Sequence, residues 1–157
     1  QLFMSTVRDD VAFGPANMGL TEETITERVD AALAAVGMQE VGSRPPHHLS
    51  LGQRRRVAIA TVLSMDPALL VLDEPSSNLD PASRREVAQV LLALQRTTIM
   101  VTHDLSYALQ LCPRSVILSA GRIVADGTTS ELLADAELLA RHRLELPYGF
   151  DPATATA

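Results

Sequence analysis

Two carboxylates, Asp73 and Glu74, follow directly on the unbroken apolar run Leu69-Leu70-Val71-Leu72, and His103 closes a second strand-like stretch, Thr98 to Val101, at Thr102. In open sheets with helices on both faces, ligands gather beyond the carboxyl ends of the strands, which is where these polar residues fall. A buried strand ending in paired carboxylates carries a desolvation cost that a magnesium ion would offset. Hydrolysis of a nucleoside triphosphate uses such a pair well. Asp73 would hold Mg²⁺ through water, because magnesium dehydrates reluctantly, and Glu74 would orient and deprotonate the attacking water. The same two residues also read as surface acids in a loop. A further piece is Leu49-Ser50-Leu51-Gly52-Gln53, a serine and a glycine at the start of a helix. The free N–H groups there favour an anion by roughly 0.3–1 kcal/mol, and Gly52 lets the backbone approach it closely. Plain capping by Ser50 is the competing reading.

The elements that position these residues are legible from periodicity and punctuation. Gln1 to Leu20, with Gly14, Pro15 and Gly19, shows no sustained period and reads as an irregular, exposed connector anchored by Val11 and Phe13. Thr21 caps a helix in which Ile25, Val29, Ala32, Leu33 and Val36 share a face, and Gly37 closes it. Ser50 and Gln53 form a capping-box pattern ahead of a helix buried along Val57 to Leu63, which Asp66 and Pro67 stop. The run Leu69 to Leu72 suits a strand covered on both faces. Asp80 and Pro81 open another helix, with Val87, Val90, Leu91 and Leu94 on one side. A helix from Leu105 to Leu111 follows the Thr98–Val101 strand. Ser115 to Leu118 and Ile123 to Asp126 then form a hairpin about Ala120-Gly121, and a short helix starts at Ser130.

An apolar content of 46% with only 3% aromatic favours helices over buried strands, an α/β core of Leu, Val, Ile and Ala. The net charge of -6 argues against capture of nucleic acid, which needs a positive surface to displace counterions. All 13 positive residues are arginine. A G-x-x-x-x-G-K-[ST] phosphate loop therefore cannot lie in this sequence, because it needs its lysine. The lone Cys112 excludes a disulfide framework or cysteine metal cluster and reads as packing. His47-His48 has no Cys or carboxylate partner at ligand spacing, and Arg54-Arg55-Arg56 reads as a solvated helix face. No run reaches the ~20 apolar residues needed to cross a bilayer. Gln1 is not a start residue, so the sequence reads as cut from something longer.

Together and in this order, the motifs resemble the ABC ATPase family. Leu49 to Gln53 resembles its signature loop, Leu69 to Glu74 its Walker B strand with the catalytic glutamate, Ser77-Asn78-Leu79-Asp80 its D-loop, and His103 in Val101-Thr102-His103-Asp104 its switch histidine. Gly121 to Gly127 is similar to the segment after the switch strand. Asp10-Val11-Ala12-Phe13-Gly14-Pro15 and Arg44 to Ser50 resemble most closely the ATPases of cobalt/nickel and energy-coupling-factor importers. Leu51 departs from the family, standing where a glycine is usual.

The resemblance implies an α/β fold, the C-terminal part of a P-loop NTPase (RecA-like) ABC ATPase domain with its helical subdomain. Residues 1–64 would be the connector and helical subdomain, 65–146 the catalytic core with its hairpin and helix, and 147–157 a disordered tail. It implies ATP and Mg²⁺ as cofactors, Asp73 as metal ligand, and Ser50, Leu51, Gly52 and Gln53 as the segment contacting the γ-phosphate held by a second ATPase subunit. Glu74 would activate water, His103 would sense the γ-phosphate, and Asp80 would link the two sites of the dimer. Val11 to Leu20 would face a membrane permease, placing the protein at the cytoplasmic face of the membrane as a peripheral subunit, with no nucleic acid partner. Phosphate loop, adenine-stacking aromatic and Q-loop glutamine are missing from the sequence, so this chain alone is expected neither to bind ATP tightly nor to hydrolyse it. Two other readings stand beside this one. An ABC-class ATPase without a permease would bring a coiled-coil insertion or tandem domains, and a non-catalytic fragment would dimerise and regulate.

Overall fold

Thr6 and Asp9 form a capping box in which each side chain accepts the other's backbone N–H at 3.1 Å, and they start a helix, α1 (Val7–Asn17), where an irregular connector was expected. Val7, Val11 and Pro15 recur at four-residue spacing and are all buried. The breakers that obscured this helix are compensated. Pro15 has no N–H for the carbonyl of Val11, and the buried Ser64 hydroxyl donates to that oxygen instead, at 2.8 Å. Gly14 leaves room for Met65, since a Cβ there would lie 2.6 Å from the Met65 Cγ. Buried Asp10 accepts from Phe3 N at 2.9 Å and Met4 N at 3.1 Å, holding the residues ahead of the helix. Val11 is an anchor as expected, whereas Phe13 is 45% exposed, its ring edge-on to Phe3.

The computed structural model describes residues 2–152 and places α2 (Glu22–Ala35), α3 (Leu51–Leu63), β1 (Leu69–Asp73), α4 (Pro81–Ala93), β2 (Thr97–Val101), α5 (Leu105–Leu111), β3 (Arg114–Ser119), β4 (Arg122–Thr128), α6 (Thr129–Ala134) and α7 (Ala136–Arg141). Thr21, Ser50 and Asp80 are the N-caps of α2, α3 and α4. At Ser50 the box is complete: Gln53 N donates to Ser50 Oγ at 3.2 Å and Ser50 N to Gln53 Oε1 at 3.0 Å. β3 and β4 are antiparallel, and Ala120 and Gly121, both at positive φ, make the tight turn between them.

The chain forms two compact units. One comprises the described residues up to Leu70 together with Ser77–Ile99, and the other Val71–Ser76 together with the described residues from Met100. This division does not coincide with the boundary expected after residue 64, because α4 packs against α3 and lends Val87 to the first unit's core. That core gathers Val7 and Val11 from α1, Val29 and Leu33 from α2, and Val57, Ile59 and Ala60 from α3. The second unit is built on Leu105, Leu109, Ile117, Leu133 and Leu139, with Leu144, Leu146 and Phe150 against them. Phe150 thus belongs to a core cluster within what was expected to be a disordered tail, and residues 153–157 of that tail, like Gln1, lie outside the described residues.

β1 and β2 pair as a two-stranded sheet. The expectation that Leu69 to Leu72 is covered on both faces is corrected: Leu70 is buried, while Leu69 and Val71 are 45% and 62% exposed. Successive side chains of a strand point to opposite faces, and within each unit only one face of this strand is covered.

Candidate functional site

The eight residues singled out from sequence fall into two groups, one in each unit. Asp73, Glu74 and His103 belong to the second unit, and Ser50, Leu51, Gly52, Gln53 and Asp80 to the first.

In the second unit, the last residue of β1 is Asp73, exposed, and the next is Glu74, whose backbone N–H donates to Val101 O at the end of β2, 2.9 Å away. Glu74 has φ +45°, the left-handed region that non-glycine residues seldom occupy, and such a conformation persists only where the surroundings over-determine it. Here they do. Glu74 Oε1 accepts from His103 N at 2.9 Å and lies 2.7 Å from His103 Nδ1, while Thr102 Oγ1 donates to Glu74 Oε2 at 3.3 Å. With Glu74 ionised the carboxylate can only accept, and the imidazole then donates through Nδ1, which leaves Nε2 as its second functional atom. The ring is 82% exposed, which leaves it accessible to a ligand. Thr102 escaped the sequence reading as a site residue. Its hydroxyl also accepts from Asp104 N at 3.1 Å, the arrangement that directs its hydrogen to Glu74. The signal was present in the Thr-His-Asp order, where a hydroxyl next to a histidine can serve the same carboxylate.

Asp73 supplies one exposed oxygen donor beside this carboxylate. Among the described residues no group of three or more His, Cys, Asp or Glu gathers into a metal cage. A single carboxylate completed by water and phosphate oxygens is a donor set that magnesium takes, so the residues present fit that ion.

In the first unit, the α3 N-terminus presents Ser50 and Leu51 to solvent, with Gly52 buried behind them. Both Ser50 and Gln53 side chains are committed to the capping box, so the groups left for an anion at this end are backbone N–H donors. Asp80 caps α4: its Oδ1 accepts from Ala82 N and Ser83 N, each at 3.0 Å, and its Oδ2 accepts from the Ser83 hydroxyl at 2.6 Å. Ser83 is the second residue the sequence reading passed over, although a serine three residues after a capping aspartate is in reach of it.

These bonds, the Ser83 hydroxyl foremost, hold the Asp80 carboxyl below the ordinary carboxylate range. A carboxyl lowered in the folded state stabilises the fold above its unfolded value and loses that contribution as pH falls through the folded one. The Tm advantage of wild type over Asp80→Asn is therefore expected to shrink as pH drops below about 4, and thermal melts across that range read it directly. A difference in Tm that stays constant down to strong acid would show that the charge on Asp80 contributes nothing to the cap.

Residues 12–109 match the family described as "AAA domain, putative AbiEii toxin, Type IV TA system", which covers more than half of the chain. Among curated relatives, the "Putative ABC transporter ATP-binding protein" of Streptomyces avermitilis is 69% identical over 99% of this chain and 60% of its own length. The "Energy-coupling factor transporter ATP-binding protein EcfA" of Carboxydothermus hydrogenoformans is 49% identical over 94% of this chain and 55% of its own. Among solved structures, cbiO1 from Clostridium perfringens, described as part of the ABC transporter complex cbiONQ, superposes with a TM-score of 0.80 at 40% identity, over 94% of this chain and 60% of that one. The chain thus spans about 60% of the length of the relatives it matches. With its motif order, its α/β elements and these likenesses, the chain belongs to the family of ABC transporter ATP-binding proteins and shares the P-loop NTPase fold of ABC ATPase domains.

Proposed function

We propose that this chain supplies the hydrolytic and dimer-facing part of an ATP-driven importer subunit, with Glu74 as general base and His103 as the contact to the γ-phosphate. The observation that carries the reading is the fixing of the Glu74 carboxylate by His103 and Thr102 directly after the exposed Asp73. A base held in one orientation needs no reorganisation when water is attacked, and an imidazole on the same carboxylate can follow the charge that develops on a transferring phosphoryl group. Asp73 would hold Mg²⁺, which when bound neutralises charge on the phosphate oxygens. Ser50, Leu51, Gly52 and Gln53 would meet the nucleotide bound by a second ATPase subunit, identical or paralogous, through the backbone donors of the α3 N-terminus. Asp80 would lie at the contact between the two subunits. Residues of the full-length protein outside this stretch would carry the phosphate loop.

The likeness to EcfA and to cbiO1 supports a permease partner, and the resemblance of Asp10–Pro15 and Arg44–Ser50 to the ATPases of cobalt/nickel and energy-coupling-factor importers is what favours cobalt, nickel or a related micronutrient as the cargo. Among the described residues no helix is long and apolar enough to cross a membrane; on the permease reading the subunit would work peripherally at the cytoplasmic face. The exposed Phe3, Met4, Phe13 and Met18 around α1 offer an apolar surface for the permease. The full-length protein, reconstituted with a permease of the energy-coupling-factor type, is expected to drive accumulation of radiolabelled cobalt or nickel in vesicles only when ATP is supplied. ATP-driven uptake of neither metal, with uptake of another nutrient, would overturn the choice of cargo. Hydrolysis indifferent to any permease would overturn the transport reading.

A further inference from the structure

Gly52 and Ser83 touch. A Cβ built on Gly52 would lie 2.4 Å from Ser83 Oγ, 2.6 Å from its Cβ and 3.6 Å from its Cα, so the absence of a side chain at Gly52 is what seats Ser83 against the first turn of α3. Ser83 is also the residue whose hydroxyl and backbone N–H both donate to Asp80. One small side chain therefore stands between the α3 N-terminus and the loop that ends at Asp80. A parallel tie runs from Arg55 Nη2 to Ser77 O at 3.5 Å, and one turn beyond the Gly52–Ser83 contact Arg56 pairs with Glu86 at 3.0 Å. Asn78, between these ties, is at φ +62°, a left-handed turn conformation that asparagine tolerates.

We propose that Ser83 is a positioning residue that locks the segment Ser50–Gln53 to Asp80, so that the nucleotide-facing end of α3 and the subunit-facing loop move as one body. Glycine at position 52 then has two reasons: close approach to a phosphate and room for Ser83. The physical basis is steric on one side, where nothing larger than hydrogen fits, and electrostatic on the other, where a charged acceptor takes a hydroxyl and two backbone donors. A displacement of Asp80 at a subunit contact would reach Ser50 and Gly52 through this seat, without any contact between Asp80 and the nucleotide. The proposal rests on the reading that Ser50–Gln53 meet the nucleotide and Asp80 the second subunit.

The test is a pair of mutant cycles in the full-length protein. Ser83→Ala keeps the Cβ against Gly52 and removes only the bond to Asp80. Steady-state ATP turnover is expected to fall roughly 10-fold, the scale of a hydrogen bond to a charged group, with KM for ATP little changed. Asp80→Ala is expected to fall at least as far, and the double variant no further than Asp80→Ala alone. In the second cycle, Tm is the readout. Gly52→Ala is expected to lower it, and Ser83→Gly added to Gly52→Ala to restore it to the value of Ser83→Gly alone, because the added Cβ then meets only a backbone carbon at ordinary distance. Wild-type turnover in Ser83→Ala while Asp80→Ala is impaired would overturn the role of Ser83 and leave the reading of Asp80 intact. Wild-type turnover in Asp80→Ala would overturn the underlying reading itself. A lowered Tm in Ser83→Ala with unchanged turnover well below that Tm would reduce Ser83 to an ordinary cap and overturn the proposal.

Discussion

Replacing Glu74 by glutamine in the full-length protein is expected to lower ATP turnover by about 10²–10⁴-fold, the contribution of a positioned general base, while ATP binding and closure of the dimer persist. The geometry explains why this substitution separates chemistry from structure. The glutamine carbonyl can still accept from His103 N and Nδ1, as Glu74 Oε1 does now, and the amide group can face the Thr102 hydroxyl, which has acceptor capacity of its own. The backbone bond from residue 74 to Val101 O does not involve the side chain. What disappears is basicity, and with it the proposed removal of the proton from the attacking water. Single-turnover hydrolysis, nucleotide binding and Tm measured on the same preparation separate the effects. Turnover at the wild-type rate would remove Glu74 from its role, and loss of nucleotide binding in step with turnover would make the residue structural.

The places of the candidate site residues in the fold were legible because each sits at a boundary that sequence marks strongly. Asp73, Glu74 and His103 end apolar runs, and Ser50 and Asp80 open helices with their side chains in the capping position. Boundaries are local, and local sequence states them. The connections between residues were not legible in the same way. That Thr102 shares a carboxylate with His103, or that Ser83 fills the space left by Gly52, depends on contacts 28 and 31 residues apart in the chain, 102 − 74 and 83 − 52, which no local pattern encodes. α1 was missed for a related reason. Pro15 and Gly14 are breakers by local rules, and the partners that cancel their cost, Ser64 and Met65, come from the far end of α3. The capping box at Thr6 was the one local signal that ran the other way. Burial of β1 was overread because an unbroken apolar run states what a strand can bury, and which faces are covered depends on neighbouring elements.

His103→Ala is expected to reduce turnover by about 10²–10³-fold, the range found when one preorganised donor to developing charge is removed. The argument begins from the ring's exposure and its anchoring. His103 makes its side-chain bond to Glu74 through Nδ1 and is otherwise 82% exposed, so its burial contributes little to the fold, and alanine should leave Tm near the wild-type value. Removing the ring takes away a group able to meet the γ-phosphate and at the same time removes the Nδ1 contact to Glu74 Oε1, although His103 N still holds that oxygen through the backbone. If, as proposed, the two residues act on the same water and phosphate, their losses should not be independent. The double variant Glu74→Gln, His103→Ala is therefore expected to be no slower than the slower single variant, as found for groups that work as a unit. Additive losses in the cycle would mean that the two residues serve separate steps, and the 2.7 Å contact between them would then be a resting arrangement that hydrolysis does not use.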